Sequence, residues 1–248
     1  ASTTMGGEHI YTFQNYHKHT YHTNPLIADS VTSNEDYAKR AAELGHGIIS
    51  IMEHGWQGRY IEGYELAEKY GLKFVVGAEA YWVKDRTEKD SSNCHIYLGA
   101  KNENGRQCLN DVLAEANITG FYRRPRVDVP LLLSLPADDI IVTTACLAYW
   151  QYDDVDDITL RLRDHFKDNF FLEVQYHNVE KQRRINEHVL ELSKRHSIPL
   201  IMGCDSHYIF PPDTQERSDY IKSKGIDYPD EDGFVLDYPD GDEAYRRF

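Results

Sequence analysis

The segment Tyr16-His17-Lys18-His19 closes the first apolar run of the chain, which extends from Ile10 to Tyr16. If this run is a β-strand, successive side chains point to opposite faces, so His17 and His19 lie on the same side. Two imidazoles in this arrangement can bind one metal ion. Histidines are also common at the ends of strands, so this pair alone is weak evidence for a metal site.

The same spacing recurs near the other end of the chain. Asp205-Ser206-His207 follows the apolar residues 199–203, so a second pair of potential ligands closes a second predicted strand. Asp205 and His207 would again share one face of that strand. The two pairs together predict one polynuclear metal site that is assembled from distant parts of the chain.

The domain organisation follows from length and composition. A chain of 248 residues fits one large α/β domain or two small ones, and 41% hydrophobic residues supply enough material for a core. No Gly/Ser-rich linker divides the chain, so we predict a single domain over residues 1–248. Because Ala-Ser-Thr-Thr precedes Met5, we expect residues 1–9 to be disordered or left over from cloning. Residues 209–248 are predicted to form a C-terminal helix and an acidic tail.

The charge balance argues against a domain that holds nucleic acid by itself. The sequence has 27 basic and 41 acidic residues, which gives a net charge of −14, whereas domains that bind nucleic acid are typically basic. Bound divalent cations would offset part of this excess. Many other acidic residues lie in residues 228–232 and 237–243, which we interpret as a solvated acidic surface.

The cysteines indicate a reducing compartment. Cys94, Cys108, Cys146 and Cys204 show no close spacing of the kind that a disulfide framework has. The first residues lack the charged and apolar regions of a signal peptide, and no apolar run is long enough to span a membrane. We therefore expect a cytoplasmic protein with reduced cysteines and no membrane partner.

Predicted strands alternate with predicted helices along the chain. After the strand that ends at Tyr16, apolar runs predict strands over residues 48–52, 73–83, 93–100, 139–144, 170–176 and 199–204. Helical spacing and capping residues predict helices over residues 34–44, 59–70, 105–117, 129–135, 156–167, 179–196 and 214–224, with a basic loop at residues 122–126. This alternation indicates parallel βαβ units.

Candidate ligands lie where such a fold places its active site, because the carboxyl ends of parallel strands meet at one edge of the sheet. Five candidates lie at or just after the end of a predicted strand: His17, His54, Cys146, His177 and Asp205. Two more lie inside strands, and one lies in a loop that can fold back toward the first pair: Glu79, His95 and Asp29.

Each histidine also has a structural alternative. Any one of the 12 histidines is more often a surface residue or a satisfied core residue than a ligand. His177 is equally compatible with lining the site and with a structural hydrogen bond. We assign five histidines without matched partners to the structural class: His9, His46, His165, His188 and His196.

Strand parity separates ligands from packing residues. Cys94 neighbours His95 and Cys204 neighbours Asp205, so both cysteines are predicted to face the helices and to pack there. Glu79 is different, because a carboxylate inside an apolar strand needs a cation or a metal ion as a partner.

The order of these residues resembles the successive motifs of the polymerase-and-histidinol-phosphatase (PHP) domain. The matching motifs are His17-x-His19, Glu53-His54-Gly55, Gly77-Ala78-Glu79, His95, Thr143-Thr144-Ala145-Cys146-Leu147 and Asp205-Ser206-His207-Tyr208. Further segments resemble the amino-terminal PHP domain of bacterial or phage DNA polymerase III alpha subunits: Phe170-Phe171-Leu172-Glu173-Val174-Gln175, Lys181-Gln182-Arg183-Arg184-Ile185-Asn186 and Arg124-Pro125-Arg126-Val127-Asp128.

The resemblance implies an α/β fold, a distorted seven-stranded (βα)7 barrel with up to three metal ions in its mouth. One departure is Glu53, since the family usually has Asp before this histidine, and we expect little effect from it. The alpha subunits continue into palm, thumb and fingers domains, so we expect this chain to be either a part of such a polymerase or a free-standing relative. The ligands implied by the motifs are His17, His19, Asp29, His54, Glu79, His95, Cys146, Asp205 and His207.

The implied ligand set determines the chemistry. Imidazole, carboxylate and thiolate ligands together suit zinc, manganese or iron. Two or three such divalent ions would bind phosphate oxygens and lower the pKa of bound water from 15.7 toward about 7, which creates hydroxide at neutral pH. Asp29 is expected to hold that hydroxide if it bridges the ions, and His207 or His177 is expected to assist the leaving group.

Two functions remain open at this point. By resemblance the chain would be a metal-dependent phosphoesterase that acts as a 3′–5′ exonuclease in proofreading at a DNA 3′ end, or that hydrolyses phosphomonoesters. Arg123, Arg124 and Arg126 are candidates for contacting the nucleic-acid backbone, and a solvated basic loop is equally compatible with them. The alternative is a non-catalytic module in which metals stabilise the barrel and the domain serves as a docking part of a replicative DNA polymerase.

Overall fold

The centre of the fold is a pair of parallel strands that brings two candidate ligands side by side. The computed structural model describes residues 3–5, 8–10, 13–24, 27–92 and 94–248. β3 (Ile48–His54) pairs in parallel with β4 (Lys73–Trp82), and the register places His54 beside Glu79. Both strands are buried along most of their length, as their apolar sequences predict.

The remaining elements follow the predicted alternation of strands and helices. The strands are β1 (Thr3–Met5), β2 (Glu8–Ile10), β5 (Cys94–Ala100), β6 (Phe121–Tyr122), β7 (Arg124–Val127), β8 (Ile140–Thr143), β9 (Phe170–Val174) and β10 (Leu200–Met202). The helices are α1 (Asn34–Glu43), α2 (Tyr60–Tyr70), α3 (Glu103–Ile118), α4 (Val129–Leu132), α5 (Val155–Phe166), α6 (Glu180–His196), α7 (Thr214–Ser223) and α8 (Gly241–Arg247).

One strand of the central sheet runs against the prediction of purely parallel units. β5 is antiparallel to both β4 and β8, whereas β8–β9 and β9–β10 are parallel pairs. No helix lies in the described part of the connection between β4 and β5. A parallel return needs a crossover of a dozen or more residues, usually a helix, so this short connection reverses the chain instead.

The curled sheet closes through the segment that carries the H-x-H pair. Ser206 N–H donates to His17 O over 3.0 Å and His19 N–H donates to Ser206 O over 2.8 Å, which forms a single parallel bridge next to β10. On the other side, Ser50 of β3 donates its hydroxyl to Tyr16 O over 2.5 Å. With residues 15–19 as the seventh strand-like element, the fold is a distorted seven-stranded α/β barrel.

The prediction of a regular strand ending at Tyr16 is wrong over residues 13–17, which have no strand pairing. This segment is held by one bridge and by side chains rather than by a ladder, so strand periodicity does not extend through it. At the beginning of the chain, β1 and β2 form an antiparallel pair, in the part that was expected to be disordered or left over from cloning. Residues 1, 2, 6, 7, 11 and 12 lie outside the described part of the chain.

The apolar core lies between the outer face of the sheet and helices α3, α5 and α6. Along β5, Cys94, Ile96 and Leu98 are fully buried in this core, while His95 faces the inside of the barrel. Cys204 is also buried, at 1% exposure. The prediction that Cys94 packs toward the helices is therefore confirmed, whereas for Cys204 only its burial is confirmed. No helix in the described residues is long and apolar enough to cross a bilayer.

The C-terminal part differs from the predicted solvated acidic tail. Leu236, Asp237 and Tyr238 are buried, at 1–3% exposure. Asp237 accepts two hydrogen bonds from Arg247 of α8, at 2.6 and 3.0 Å. Part of this acidic segment therefore packs onto the barrel, with its apolar residues and a paired carboxylate buried together.

Candidate metal centre

Glu79 lies at the centre of a group of four imidazoles. Its Oε1 atom is 3.5 Å from His17 Nε2 and 3.4 Å from His95 Nδ1. Its Oε2 atom is 3.1 Å from His19 Nε2 and 3.0 Å from His54 Nδ1. Glu79 is 1% exposed. Burial would raise the pKa of Glu79, but His95, His54 and the other imidazoles hold it well below its usual value.

Asp205 completes the group from the other end of the chain. Its Oδ1 atom is 3.2 Å from His17 Nε2 and 3.1 Å from His19 Nε2, so both histidines of the H-x-H pair face the same carboxylate. Asp205 has a positive φ of 49°, which turns the chain directly after β10. His207 donates its Nδ1–H to Asp205 O over 2.7 Å, which leaves Nε2 of His207 free to accept a cation.

Asp29 folds back onto the same cluster. Its Oδ2 atom is 3.4 Å from His54 Nε2 and 3.3 Å from His207 Nε2, and the side chain is buried. Burial would raise the pKa of Asp29, but His207 and His54 lower it far below its usual range. Arg217 of α7 donates its Nε–H to Asp29 O and so fixes the loop.

Cys146 lies beside His95, with Sγ 3.3 Å from His95 Nδ1. Burial, together with the nearby Glu79 and Asp205, raises the pKa of the Cys146 thiol well above its usual value. A thiol in this environment becomes a thiolate only if a cation is bound close to it.

The cluster as a whole fits divalent cations. Three groups of potential ligands have atoms within 4.8 Å of one another: His19, His54 and His207; His17, His19 and Asp205; His54, Glu79 and His95. The ligand-to-ligand distances of 3.0–3.5 Å resemble the separation of about 3.4 Å that ligands have around zinc when each bond is about 2.1 Å.

Unpaired polar atoms give a second test of this fit. Among the described residues, buried side-chain atoms that make no well-aligned hydrogen bond are concentrated here, although groups of opposite charge lie 3.0–3.5 Å from several of them: His17 Nε2, both ring nitrogens of His19, Asp29 Oδ1, His54 Nδ1, both oxygens of Glu79 and His95 Nε2. Each such group costs about 1–3 kcal/mol when it stays unsatisfied. Imidazole nitrogens and carboxylate oxygens aimed at shared space are the donor set that zinc, manganese and iron bind.

Glu173 is a supporting residue that sequence reasoning did not identify. It accepts hydrogen bonds from His17 Nδ1 (2.6 Å), Thr143 Oγ1 (3.0 Å), Gln175 Nε2 (2.8 Å) and the Tyr16 hydroxyl. The bond from Nδ1 leaves Nε2 of His17 directed at Glu79 and Asp205. The signal in the sequence was a carboxylate inside an apolar strand, on the same face as His177.

Glu53 faces away from the imidazoles and lies behind the H-x-H segment. It is fully buried and accepts hydrogen bonds from Thr20 N (3.3 Å) and Thr20 Oγ1 (2.5 Å). Thr20 directly follows His19, so these hydrogen bonds to Glu53 hold the end of the H-x-H segment in position.

His177 makes a structural hydrogen bond and also lies near the cluster. Its Nδ1 accepts a hydrogen bond from Val235 N–H over 3.2 Å, and its ring stacks on Phe234 at 4.3 Å between centroids. Its Nε2 has no hydrogen-bond partner in the described residues. Burial lowers the pKa of His177 to about 4, so at neutral pH the ring is uncharged and carries its proton on Nε2.

The three predicted substrate-binding arginines lie in different environments. Arg126 is 2% exposed and donates four hydrogen bonds to backbone carbonyls of the 86–90 loop and of Gly120. The prediction that Arg126 contacts substrate is therefore wrong, because its guanidinium is buried and hydrogen-bonded to the protein backbone. Arg124 lies over the Tyr81 ring at 5.6 Å, and Tyr81 in turn lies 5.9 Å from the His54 ring.

The basic loop that contains these residues is a β-hairpin, formed by β6 and β7. Arg123 is exposed at its turn, with a φ of 63°. Of the three arginines, only Arg123 and Arg124 remain candidates for a contact with substrate.

A cavity of about 340 Å³ opens above the cluster. Its inner end is formed by seven of the nine predicted ligands: Asp29, His54, Glu79, His95, Cys146, Asp205 and His207. Its outer part is formed by Ile27, Leu147, Ala148 and residues from the segment 227–236. A substrate that enters this cavity therefore meets the candidate ligands at its bottom.

Comparison with known proteins gives a family and a set of relatives. A family model described as "PHP domain" matches residues 16–177. The DNA polymerase III subunit alpha of Helicobacter pylori is 29% identical over 217 residues, which cover 79% of this chain and 18% of the relative. The corresponding subunit of Aquifex aeolicus is 28% identical over 211 residues, covering 77% of this chain and 18% of the relative.

Among solved structures, a "putative metal-dependent phosphoesterase" from Bifidobacterium adolescentis matches with a TM-score of 0.49 and 18% identity, over 78% of this chain and 88% of that one. The chain thus spans less than a fifth of the length of the polymerase subunits that it matches.

Proposed function

Because the chain belongs to the PHP domain family, we propose that it is a metal-dependent phosphoesterase. The observation that carries this proposal is the convergence of four side chains from three distant parts of the sequence: Nε2 of His17 and Nε2 of His19 each lie within 3.5 Å of both Glu79 and Asp205. Buried polar atoms without partners at this point support a role in holding cations.

The residues would hold two or three divalent ions, with zinc, manganese and iron as the metals that suit this donor set. The full set of proposed ligands is His17, His19, Asp29, His54, Glu79, His95, Cys146, Asp205 and His207. Ions bound here would orient phosphate oxygens and supply a water of lowered pKa as the nucleophile.

The side chains around the cavity have distinct proposed tasks. Asp29 would be the bridging carboxylate, since its Oδ2 faces both His54 and His207. Because Nδ1–H of His207 is bound to Asp205 O, Nε2 is the ring nitrogen of His207 that would bind a cation. His177 does not line this cavity but a neighbouring one. Its ring is uncharged at neutral pH and carries its proton on Nε2, so it would donate a hydrogen bond to a leaving group that reaches it instead of acting as a strong acid.

The relatives give the proposed substrate. The similarity to DNA polymerase III alpha subunits favours a phosphodiester at a DNA 3′ end, hydrolysed in the 3′–5′ direction as in proofreading. A phosphomonoester is the alternative substrate if the chain acts alone. The remaining domains of a polymerase are the proposed partners, since the chain covers only 18% of these relatives.

A second candidate function is a metal-stabilised docking domain without catalysis. One observation favours it: Asp205 and His207 from the end of the barrel meet His17 and His19 from its beginning. Cations at this point would join both ends of the chain and would stabilise the barrel even without turnover.

Release of nucleotides from a labelled DNA strand in the presence of Mn²⁺ separates the two functions. Catalysis predicts release by the wild type and its loss in His19→Ala and Asp205→Ala. His188→Ala is the matched control, because His188 lies on the surface and pairs with Asp156 over 2.8 Å. If the wild type hydrolyses neither DNA nor a phosphomonoester with Mn²⁺, Zn²⁺ or Fe²⁺, and the variants only lose melting temperature, the docking function is correct.

A further inference from the structure

The mouth of the cavity is shaped by residues 227–236, here named the mouth segment. It lies outside residues 16–177, which the family model matches, and it follows α7 in the chain. Six of its side chains line the cavity above the candidate ligands: Asp227, Tyr228, Pro229, Glu231, Phe234 and Leu236. The part of the site that a substrate meets first is therefore formed by a segment that is separate from the strands that carry the candidate ligands.

The mouth segment is anchored directly to residues of the metal centre. Leu236 O accepts a hydrogen bond from His207 N–H over 2.8 Å. Phe234 stacks on His177 with an angle of 3° between the rings. Glu231 forms a 2.8 Å ion pair with Arg217, whose Nε–H is bound to Asp29 O. Because each anchor ends at the cluster, the segment keeps a defined position relative to the ligands.

The lining of the cavity changes from bottom to mouth. The bottom offers imidazoles and carboxylates, whereas Ile27, Leu147, Tyr228 and Phe234 give the outer part an apolar and aromatic character. The volume of about 340 Å³ lies at the lower end of the range of about 300–1,000 Å³ that small-molecule sites have. A phosphate at the bottom thus leaves room for one small flat group at the mouth.

The size of the cavity acts against base-paired DNA. Of the two carboxylates at the entrance, Glu231 is paired with Arg217 over 2.8 Å, so charge does not decide between the substrates. A base-paired end would have to unpair before one nucleotide could enter a cavity of this size. The size of the cavity therefore favours a single unpaired group over a duplex.

On these grounds, and resting on the proposed phosphoesterase function, we propose that the mouth segment selects phosphate esters that carry one unpaired planar group. Tyr228 is the specificity-determining side chain, and base-paired polynucleotide is excluded. The planar group is the unpaired last base of a strand or the base of a free nucleoside monophosphate, since the two share the same chemistry at this site.

Binding of two phosphonates tests the proposal without turnover. Phenylphosphonate and methylphosphonate are titrated into the Mn²⁺-loaded chain by calorimetry. The wild type is expected to bind phenylphosphonate roughly tenfold more tightly, the size of one stacking contact, and Tyr228→Ala is expected to lose this preference while it still binds methylphosphonate. Tyr64→Ala, a change of an exposed tyrosine on α2, is the matched control and should keep the preference.

Hydrolysis identifies the source of the planar group. The arms are thymidine monophosphate, a single-stranded oligonucleotide and the same strand in a blunt duplex, and the duplex is expected to react at least roughly tenfold more slowly than the faster of the other two. Equal binding of the two phosphonates, no binding of either, an unchanged preference in Tyr228→Ala, or a duplex that reacts as fast as the single strand would each overturn the proposal. Absence of hydrolysis with every ester, together with an intact phosphonate preference, would instead count against the phosphoesterase function alone.

Discussion

Replacement of Glu173 by glutamine tests whether the carboxylate beneath His17 sets the affinity of the metal centre. Glu173 is 2% exposed and accepts a 2.6 Å hydrogen bond from His17 Nδ1. Its other oxygen accepts from Thr143 Oγ1 and from the Tyr16 hydroxyl. Glutamine keeps the size of the side chain, but it removes the negative charge that makes His17 Nε2 a stronger ligand and places an NH₂ group opposite existing donors.

The expected loss is large because several side chains depend on this one carboxylate. Changes of residues that support a metal ligand typically weaken metal binding by about 10- to 100-fold. Since Glu173 accepts from four side chains, we expect the upper end, about 100-fold or about 2.8 kcal/mol. The free energy of unfolding of the metal-free variant should fall by about 1–3 kcal/mol, because one buried donor is left without an acceptor.

Calorimetric titration of metal-free protein with Mn²⁺ measures this loss. Asp128→Asn is the matched control, since Asp128 is also buried and accepts hydrogen bonds, from Arg86 and from Leu131 N–H, but contacts none of the candidate ligands among the described residues. The control should lose stability and keep its metal affinity nearly unchanged. Equal metal affinity of Glu173→Gln and the wild type, or an equal loss in both variants, would refute the role assigned to Glu173.

Three further predictions follow from particular contacts. Arg126→Ala should lower the free energy of unfolding by about 3 kcal/mol, because it leaves buried carbonyls unpaired, and should leave the KM for a phosphate ester unchanged; a raised KM in steady-state kinetics would contradict this. Gly203→Ala would place a Cβ 1.8 Å from Glu173 Oε1, so its Mn²⁺ affinity should fall as in Glu173→Gln, and unchanged calorimetric binding would contradict this. Burial lowers the pKa of His17, but Glu173 and Asp205 raise it, so that this pKa ends well above the usual value. Burial also lowers the pKa of His54, but Tyr81 and Glu79 raise it, with the same result. Protonation of the two histidines therefore stabilises the metal-free protein below about pH 6.5, and this stabilisation is lost as the pH rises through the raised pKa values. Mn²⁺ binding should strengthen over the same rise in pH, because the cations displace these protons. Melting temperatures and calorimetric titrations at about pH 6 and about pH 8 check both trends.

The sequence was most informative where the spacing of two residues alone determines to which side their side chains point. The two-residue spacing of His17 and His19 predicts a common side, and both imidazoles do meet Asp205 Oδ1. The apolar runs around His54 and Glu79 predict buried strands, and their register brings the two side chains together.

The features that the sequence did not reveal depend on contacts between distant residues. The reversal of β5 follows from a short connection without a helix, which apolar periodicity does not encode. The sequence around Arg126 indicates a basic surface residue, because nothing in it shows that the 86–90 loop buries this side chain. The mouth segment and the residues that follow it are acidic and so resemble solvated surface, whereas Leu236 and Asp237 are in fact buried against the barrel.

The most direct test of the shared metal centre is the number of ions bound per chain in the wild type and in Glu79→Gln. Metal-free protein is equilibrated with Mn²⁺, freed of unbound metal by gel filtration and analysed by mass spectrometry of the metal. We predict about two or three ions per wild-type chain, since the fold brings together three groups of ligands that share His19 and His54. We predict at least one ion fewer in Glu79→Gln, because the oxygens of Glu79 face four imidazoles at once. A wild type that binds no metal, or a Glu79→Gln variant that binds as many ions as the wild type, would contradict the shared centre.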